Sequence, residues 1–162
     1  MTEILEMLPV INSLEGMEPM IEKILRLEGH LVALPEESKL HIEPVHYFAD
    51  GIYGREITIP AGTLLTGKIH KFEHMNFITQ GDITVWTDDG MKRIVAPAVL
   101  ISQPGIKRVG YAHAETKWVT VHAVPGGVKV DPEVLETALV CSSYREYADF
   151  ITWAGQLAIE EA

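Results

Sequence analysis

The sequence predicts a mainly β fold, a single barrel or sandwich of short strands with helices before and after it. From about residue 52 to residue 124, short runs rich in Ile, Val, Thr and Trp follow one another, separated by turns that contain Pro and Gly. Apolar residues recur at helical spacing on both sides of this region. The length of 162 residues suits one domain.

An N-terminal helix is predicted over residues 15–28, with Pro19 in its first turn and Gly29 as its C-terminal cap. Its apolar positions at helical spacing are Met20, Ile21, Ile24 and Leu25. We expect this helix to belong to a helical and extended arm that covers residues 1–45.

A β-hairpin is the strongest local prediction in the strand region, for which we expect the bounds 46–126. Residues 83–87 and 91–95 are two strand-like runs, and Asp88, Asp89 and Gly90 stand between them. An Asp-Gly pair between two such runs is typical of a tight hairpin turn. The hairpin therefore predicts antiparallel pairing.

Two helices are predicted in the last segment, residues 127–162. Asp131 is a candidate N-cap followed by Pro132 in the first turn, and Ser143 with Glu146 has the spacing of a capping box for the second helix. The apolar stripe of the second helix consists of Tyr147, Phe150 and Ile151. We interpret both helices as packing or dimer-forming elements, because a helix or a second subunit commonly covers the apolar edge of a small barrel.

Composition and charge exclude several classes of function. A formal net charge of -10 disfavours a nucleic-acid partner, and no apolar run is long enough for a membrane span. The first residues lack an export signal, so we expect a cytoplasmic protein. The lone Cys141 suits a reducing compartment, and we interpret it as a small buried apolar residue.

The segment from Pro60 to Gly81 carries the pattern that bears on function. Its residues Gly62, His70, His74 and Gly81 keep the spacing of the first cupin motif, in which a glycine, two histidines, a glutamate and a closing glycine follow one another. The segment therefore resembles the cupin superfamily, in particular its small single-domain members of bacterial or phage type. Two identities differ, because Lys68 stands at the first histidine and His74 at the glutamate.

The second cupin motif is matched in a single position. With Gly105 on its second glycine, Gln103 falls at the proline, Arg108 at the histidine and Ala112 at the asparagine. The resemblance covers about residues 50 to 124. It implies a double-stranded β-helix, or jelly-roll barrel, with flanking N- and C-terminal helices, and it implies a homodimer.

A metal site is the first functional expectation. His70 and His74 lie close in sequence on strand-like segments, and imidazole ligands suit divalent Fe, Mn, Ni, Cu or Zn. A third ligand is needed, since a protonated lysine has no lone pair to offer. We take His122 as that ligand and His113 as the alternative, which would face inward if its strand bulges. We expect His30, His41 and His46 to be structural.

A cationic pocket is the second functional expectation. Alternation places Tyr53 and Arg55 on the same strand face as two isoleucines, and Lys68 and Arg108 add positive charge toward the interior. Buried cations need anionic partners. Either an internal carboxylate such as Glu56 or Glu73 pairs with them, or a small anionic ligand that bears a carboxylate or phosphate binds there.

These expectations leave three functional hypotheses open. The chain is a metal-dependent isomerase, lyase or oxygenase acting on an anionic substrate, since cupins carry out all of these reactions on one scaffold. It is alternatively a non-catalytic binding or regulatory module that has lost its metal, as Lys68 and Arg108 suggest. The third hypothesis is a structural module that binds neither metal nor ligand.

Overall fold

The structure of the chain, a computed structural model, describes residues 19–124 and 131–160, with side chains to residue 156. The described helices are α1 (Met20–Ala33), α2 (Pro132–Leu139) and α3 (Tyr144–Glu160), with a short 3-10 turn at Glu36–Ser38. The described strands are β1 (Val45–Ala49), β2 (Ile52–Ile59), β3 (Leu64–Thr66), β4 (Ile69–His70), β5 (His74–Thr87), β6 (Gly90–Val95), β7 (Ala98–Ser102), β8 (Val109–Ala123) and β9 (Val140–Cys141).

Two long strands, β5 and β8, build the barrel by passing through both of its layers. Their paired segments 75–78 and 118–121 lie between β7 and β2, with β1 at the outer edge. Their other segments, 82–87 and 109–114, lie between β6 and β3. All of these pairs are antiparallel, so the prediction of a mainly β barrel with flanking helices is confirmed.

The change from one layer to the other occurs at Gly81. The register between β5 and β8 shifts there, and Gly81 has a φ of 100°. A Cβ at this position would lie 2.3 Å from the backbone oxygen of Glu115, so only glycine allows the two strands to approach this closely. The closing glycine of the sequence motif is therefore a bending point of the barrel.

The main core lies between the two layers. Its buried members come from both layers, which is the packing expected where inward-facing residues of two sheets meet. They are Ile59, Ile78, Ile83, Val85, Ile94, Ala112 and Trp118. A second cluster seats α1, whose Ile24 and Leu27 are grouped with Trp86, Val109 and Tyr111.

The predicted hairpin and the first C-terminal helix are confirmed. Thr87 pairs with Gly90 across the turn, and the flanking residues of β5 and β6 pair in register. Asp131 caps α2, because its side chain accepts a hydrogen bond of 2.9 Å from the backbone N–H of Glu133. Pro132 opens that helix as expected.

The N-terminal helix differs from its prediction at both ends. Pro19 lies directly before the first turn, and the helix continues through Gly29 to Ala33. Gly29 is exposed and does not adopt the positive φ of a glycine that caps a helix, so the helix passes through it. Residues 15–18 of the predicted range lie outside the described residues.

The last helix begins as predicted and packs with part of the predicted stripe. The Ser143 hydroxyl accepts from the backbone N–H of Glu146, while the Glu146 carboxylate accepts from Ser142 N–H instead of completing the box with Ser143. Phe150 contacts the ring of Phe72 edge-on, at 5.5 Å between centroids. Ile151, by contrast, is 51% exposed and does not belong to the packed stripe.

Cys141 is fully buried, and burial raises the pKa of its thiol, as suits a packed and unreactive cysteine. Across residues 19–160, apart from 125–130, no helix combines the length and the apolar character that a membrane crossing demands.

Candidate metal centre

Three histidines converge at one end of the barrel interior. His70 is held on β4, which pairs with β9, while His74 opens β5 and His122 lies near the end of β8. One ring nitrogen from each histidine lies within 4.8 Å of the others. The Nδ1 atom of His70 and the Nε2 atom of His122 are 3.0 Å apart. The structure therefore brings together the three residues that the sequence names as ligands.

Hydrogen bonding leaves two of the ring nitrogens without a protein partner. The Nδ1–H of His74 donates to the backbone oxygen of Phe72 at 3.0 Å, so its Nε2 presents a lone pair. That Nε2 atom and the Nδ1 atom of His122 are buried without a hydrogen-bond partner. Because buried polar atoms are nearly always satisfied, each of these nitrogens calls for a partner that the described residues do not supply.

Burial keeps the three imidazoles neutral. It lowers the pKa of His70 to about 2, with further effects from the neighbouring His74 and His122. Burial lowers the pKa of His122 to about 4. It also lowers the pKa of His74, against the opposing effect of the hydrogen bond to Phe72. Neutral imidazole is the form that binds a metal.

The donor set fits a divalent transition metal. Three neutral nitrogens on separate strands, one of them oriented by a backbone carbonyl, form the kind of three-ligand site that leaves coordination positions for a substrate or water. Iron, manganese, nickel, copper and zinc all accept imidazole ligands, and the donor set alone does not choose among them.

His113, the alternative third ligand, lies elsewhere. Asp82 pairs with Ala114 and Ile83 with Ala112, so His113 is the extra residue of a bulge in β8. The bulge that the sequence argument required is present, but the His113 side chain is exposed and hydrogen-bonds to the Thr84 hydroxyl at 2.7 Å. His113 is therefore not part of the histidine cluster.

A cavity of about 280 Å³ adjoins the histidine cluster. Its lining includes His70 and His122. All four residues that the sequence names for substrate binding also line it, namely Tyr53, Arg55, Lys68 and Arg108. Much of the remaining wall is apolar, as in most small-molecule sites.

The four residues differ in how they are held. The Tyr53 hydroxyl hydrogen-bonds to His46 Nδ1 at 2.7 Å. Lys68 is 56% exposed and forms an ion pair with Glu136 of α2. Arg108 donates from Nη2 to the Ser102 hydroxyl, and burial lowers the pKa of its guanidinium.

Neither of the internal carboxylates expected from sequence pairs with these cations. Glu56 lies 4.0 Å from Lys117, and Glu73 accepts a hydrogen bond of 2.7 Å from Gln103. Glu136 forms the ion pair with Lys68 instead; Lys68 lowers the pKa of the Glu136 carboxyl, and the charge of Arg55 adds to that shift. Within residues 19–124 and 131–156, no carboxylate forms an ion pair with Arg55 or Arg108.

A buried polar network that was not predicted from the sequence lies beside the histidines. Asn76 donates to the Ser102 hydroxyl at 2.7 Å, and its side-chain oxygen accepts from Trp118 Nε1 at 2.8 Å and from the Thr120 hydroxyl at 3.1 Å. A signal was available, because Asn76 follows His74 by two residues and therefore shares its strand face.

Comparisons with known proteins identify similar folds. No protein-family model matches the sequence, and no curated protein sequence matches it. A cupin superfamily protein from Desulfitobacterium hafniense has a TM-score of 0.45 and 14% identity, over 56% of this chain and 94% of that one.

Two further solved structures resemble the chain to a comparable degree. An RmlC-like cupin family protein with a double-stranded β-helix fold, from Methanocaldococcus jannaschii, has a TM-score of 0.44 and 10% identity, over 56% of this chain and 87% of that one. KdgF from a Halomonas species has a TM-score of 0.46 and 8% identity, over 53% of this chain and 82% of that one.

Proposed function

We propose that His70, His74 and His122 bind one divalent transition metal and that the adjoining cavity binds a small anionic molecule beside it. The observation that carries this proposal is the set of three ring nitrogens, one from each histidine, that lie within 4.8 Å of one another, together with the buried His74 Nε2 that has no protein partner. The metal would supply Lewis-acid polarisation of a ligand oxygen, which suits an isomerase, a lyase or an oxygenase.

The chain's own residues contribute binding and orientation. Among the described residues, no carboxylate lies within 4.0 Å of the Arg55 or Arg108 guanidinium groups that line the cavity, and Glu136, which lines it too, is engaged by Lys68, so an incoming anion meets donors that are already in place. The apolar walls exclude water from the bound molecule and strengthen these contacts. Phe72, through its backbone oxygen, holds the His74 ring in one orientation.

Elemental analysis by plasma mass spectrometry tests the metal site. We expect close to one transition metal per chain after metal loading, and we expect His74→Ala and His122→Ala to lose it while circular dichroism shows an intact fold. The exposed His113→Ala is the matched control and should retain the metal. Full loading of the His74 and His122 variants would rule out this centre.

A second candidate is a metal-free binding or regulatory module. Lys68 and Arg108 stand where the cupin motifs place histidines, and Lys68 is engaged by Glu136. This candidate expects small anions to raise the melting temperature of chelator-treated protein, with no metal bound under any loading. A purely structural module expects neither effect.

We also propose that the protein works in the cytoplasm as a homodimer, through the outer face of the layer that contains β1, β2, β8, β5 and β7. One row across these five strands is formed by residues paired in register, Ile101, Met75, Val121, Gly54 and Tyr47. The side chains of Ile101 and Tyr47 are 66% and 50% exposed. Apolar residues also fill most of the two flanking rows, for example Val99 and Ile52.

The size of this face suits a second copy. Five strands about 4.8 Å apart give a width of roughly 24 Å, and three rows of same-face residues about 6.7 Å apart give a length of roughly 20 Å. The face therefore covers about 480 Å². Two such faces would hide about 1,000 Å², roughly the minimum area for a specific interface. Sedimentation should therefore give a dimer that Ile101→Glu converts to a monomer. Met91→Glu, on the equally exposed Met91 of β6, is the control; a monomeric wild-type chain would refute the proposal.

A further inference from the structure

The interior of the barrel is ordered in layers along the strand direction. His122 pairs with Tyr53, and two residues further on Thr120 pairs with both Arg55 and Asn76. Each layer lies about 7 Å from the next, because side chains on one face repeat every two residues. The histidine layer is thus followed by a layer of cationic and polar groups.

The third layer is apolar. Trp118 pairs with Ile57 on one side and with Ile78 on the other. From the opposite sheet, Ile83 and Val85 line the same cavity. The cavity therefore has one end that bears histidines and guanidinium groups and another end that is hydrocarbon.

Arg108, one of the two arginines at this end of the cavity, is held in place by hydrogen bonds. Ser102 and Asn76, 2% and 1% exposed, link Arg108 to Trp118 and Thr120 through a continuous set of hydrogen bonds. Because each of these buried groups already has a partner, the Arg108 guanidinium is fixed before a ligand arrives, which reduces the entropy cost of binding.

We propose that the ligand of this cavity is a small monocarboxylate with a compact apolar body. Its carboxylate would lie against Arg108 and Arg55, and its hydrocarbon part would lie against Ile57, Trp118 and Ile83. The inference rests on the proposed function, in which the cavity binds an anion, and it adds the chemical class of that anion. The volume of 280 Å³ holds roughly nine water-sized groups, which suits an acid of about six to eight heavy atoms.

A carboxylate fits this arrangement better than a phosphate does. A planar carboxylate matches the forked donors of arginine with a single charge, whereas the net charge of -10 opposes the approach of a dianion. An inorganic phosphate would also leave the hydrocarbon end of the cavity unfilled, so it would gain nothing from the apolar layer.

Titration calorimetry of the whole chain, freed of metal by a chelator, tests the inference. The probes are acetate, butyrate and hexanoate, with 1-hexanol and inorganic phosphate as the comparison compounds. We expect affinity to rise roughly fourfold for each added CH₂ group, so that hexanoate binds up to about 200-fold more tightly than acetate. Hexanol and phosphate should bind at least tenfold more weakly than hexanoate.

Variants separate the two ends of the ligand. Arg108→Met and Arg55→Met should each weaken hexanoate at least tenfold and leave hexanol unchanged. Arg93→Met, which removes an exposed arginine of β6, should change neither. If one variant fails to fold, the chain-length series in the wild type still decides the question.

The outcomes distinguish this inference from the proposed function. Binding of acetate, hexanoate and phosphate with equal affinity, reduced by Arg108→Met, would overturn the apolar body and leave the anion site standing. Hexanol binding as tightly as hexanoate would overturn the carboxylate. Absence of binding by every anion would overturn both ligand statements, and metal loading would then test the histidine centre separately.

Discussion

Acidification should destabilise the metal-free protein at pH values well above those at which carboxylates titrate. A histidine whose folded pKa lies below its unfolded value stabilises the fold fully above the unfolded pKa, and this contribution is lost as the pH falls toward the folded pKa. Burial lowers the pKa of His122 from 6.5 to about 4. The unfolded chain therefore takes up a proton below pH 6.5 that the folded chain does not.

The size of this effect follows from proton linkage. Between pH 7.5 and pH 5, His122 alone removes about 2 kcal/mol from the free energy of unfolding. For a chain of this size, that loss corresponds to a fall of about 4 to 8 °C in melting temperature. His70 and His74 add to it with the same sign, because burial lowers the pKa of each.

Thermal unfolding followed by circular dichroism in the presence of a chelator measures this loss. The carboxyls of Asp82 and Glu136, whose pKa values are lowered, act in a lower window, because their contribution is lost only below their unfolded pKa near pH 4. The variant His122→Asn should show a smaller fall between pH 7.5 and 5, whereas His113→Asn should match the wild type. A melting temperature that stays level or rises over this range would refute the buried neutral cluster.

Three further predictions concern the fold. Gly81→Ala should lower the free energy of unfolding by at least about 2 kcal/mol in urea titrations, whereas Gly62→Ala, which has positive φ but open space, should cost about 1 kcal/mol. Glu28→Ala should lower the free energy of unfolding by about 3 kcal/mol, because it leaves the Lys107 ammonium, which is 3% exposed, without its ion pair. In urea titrations, adding Lys107→Met to this variant should restore part of the lost stability. Asp131→Ala should cost about 1 kcal/mol by loss of the α2 cap, and an unchanged urea midpoint would contradict the cap.

Local patterns were sufficient for much of the fold. The Asp-Gly turn predicts the β5–β6 hairpin, and the cap residue Asp131 predicts the start of α2, because both depend on residues adjacent in sequence. The end of α1 was predicted wrongly, because it depends on packing against residues that are distant in sequence. The helix passes through Gly29, where the cost of a glycine is about 1 kcal/mol and packing of Ile24 and Leu27 stabilises the helix.

The candidate site was predictable where alternation along one strand decides the answer. Tyr53 and Arg55 share a face by a period of two, and both line the cavity. The ion pair of Lys68 with Glu136 was not predictable in this way, since the two residues are 68 positions apart and meet only when α2 packs near the cavity mouth. Glu56 and Glu73 were predicted as partners because they lie close in sequence to Arg55 and Lys68. Closeness in sequence carries no information about which residues meet by long-range packing.

Register across strands connects the remaining parts of the site. The alternation of β8 permits either face to be internal, and the pairing of His122 with Tyr53 and of Thr120 with Arg55 selects one of them. A slip of β8 by one residue would turn His122, Thr120 and Trp118 outward together and bring valines inward. The third histidine, the Asn76 network and the apolar layer are therefore consequences of a single register. Gly81 allows the register of β5 and β8 to shift beyond Ile78, so that the same two strands also supply Ile83 and Val85 to the cavity from the opposite layer.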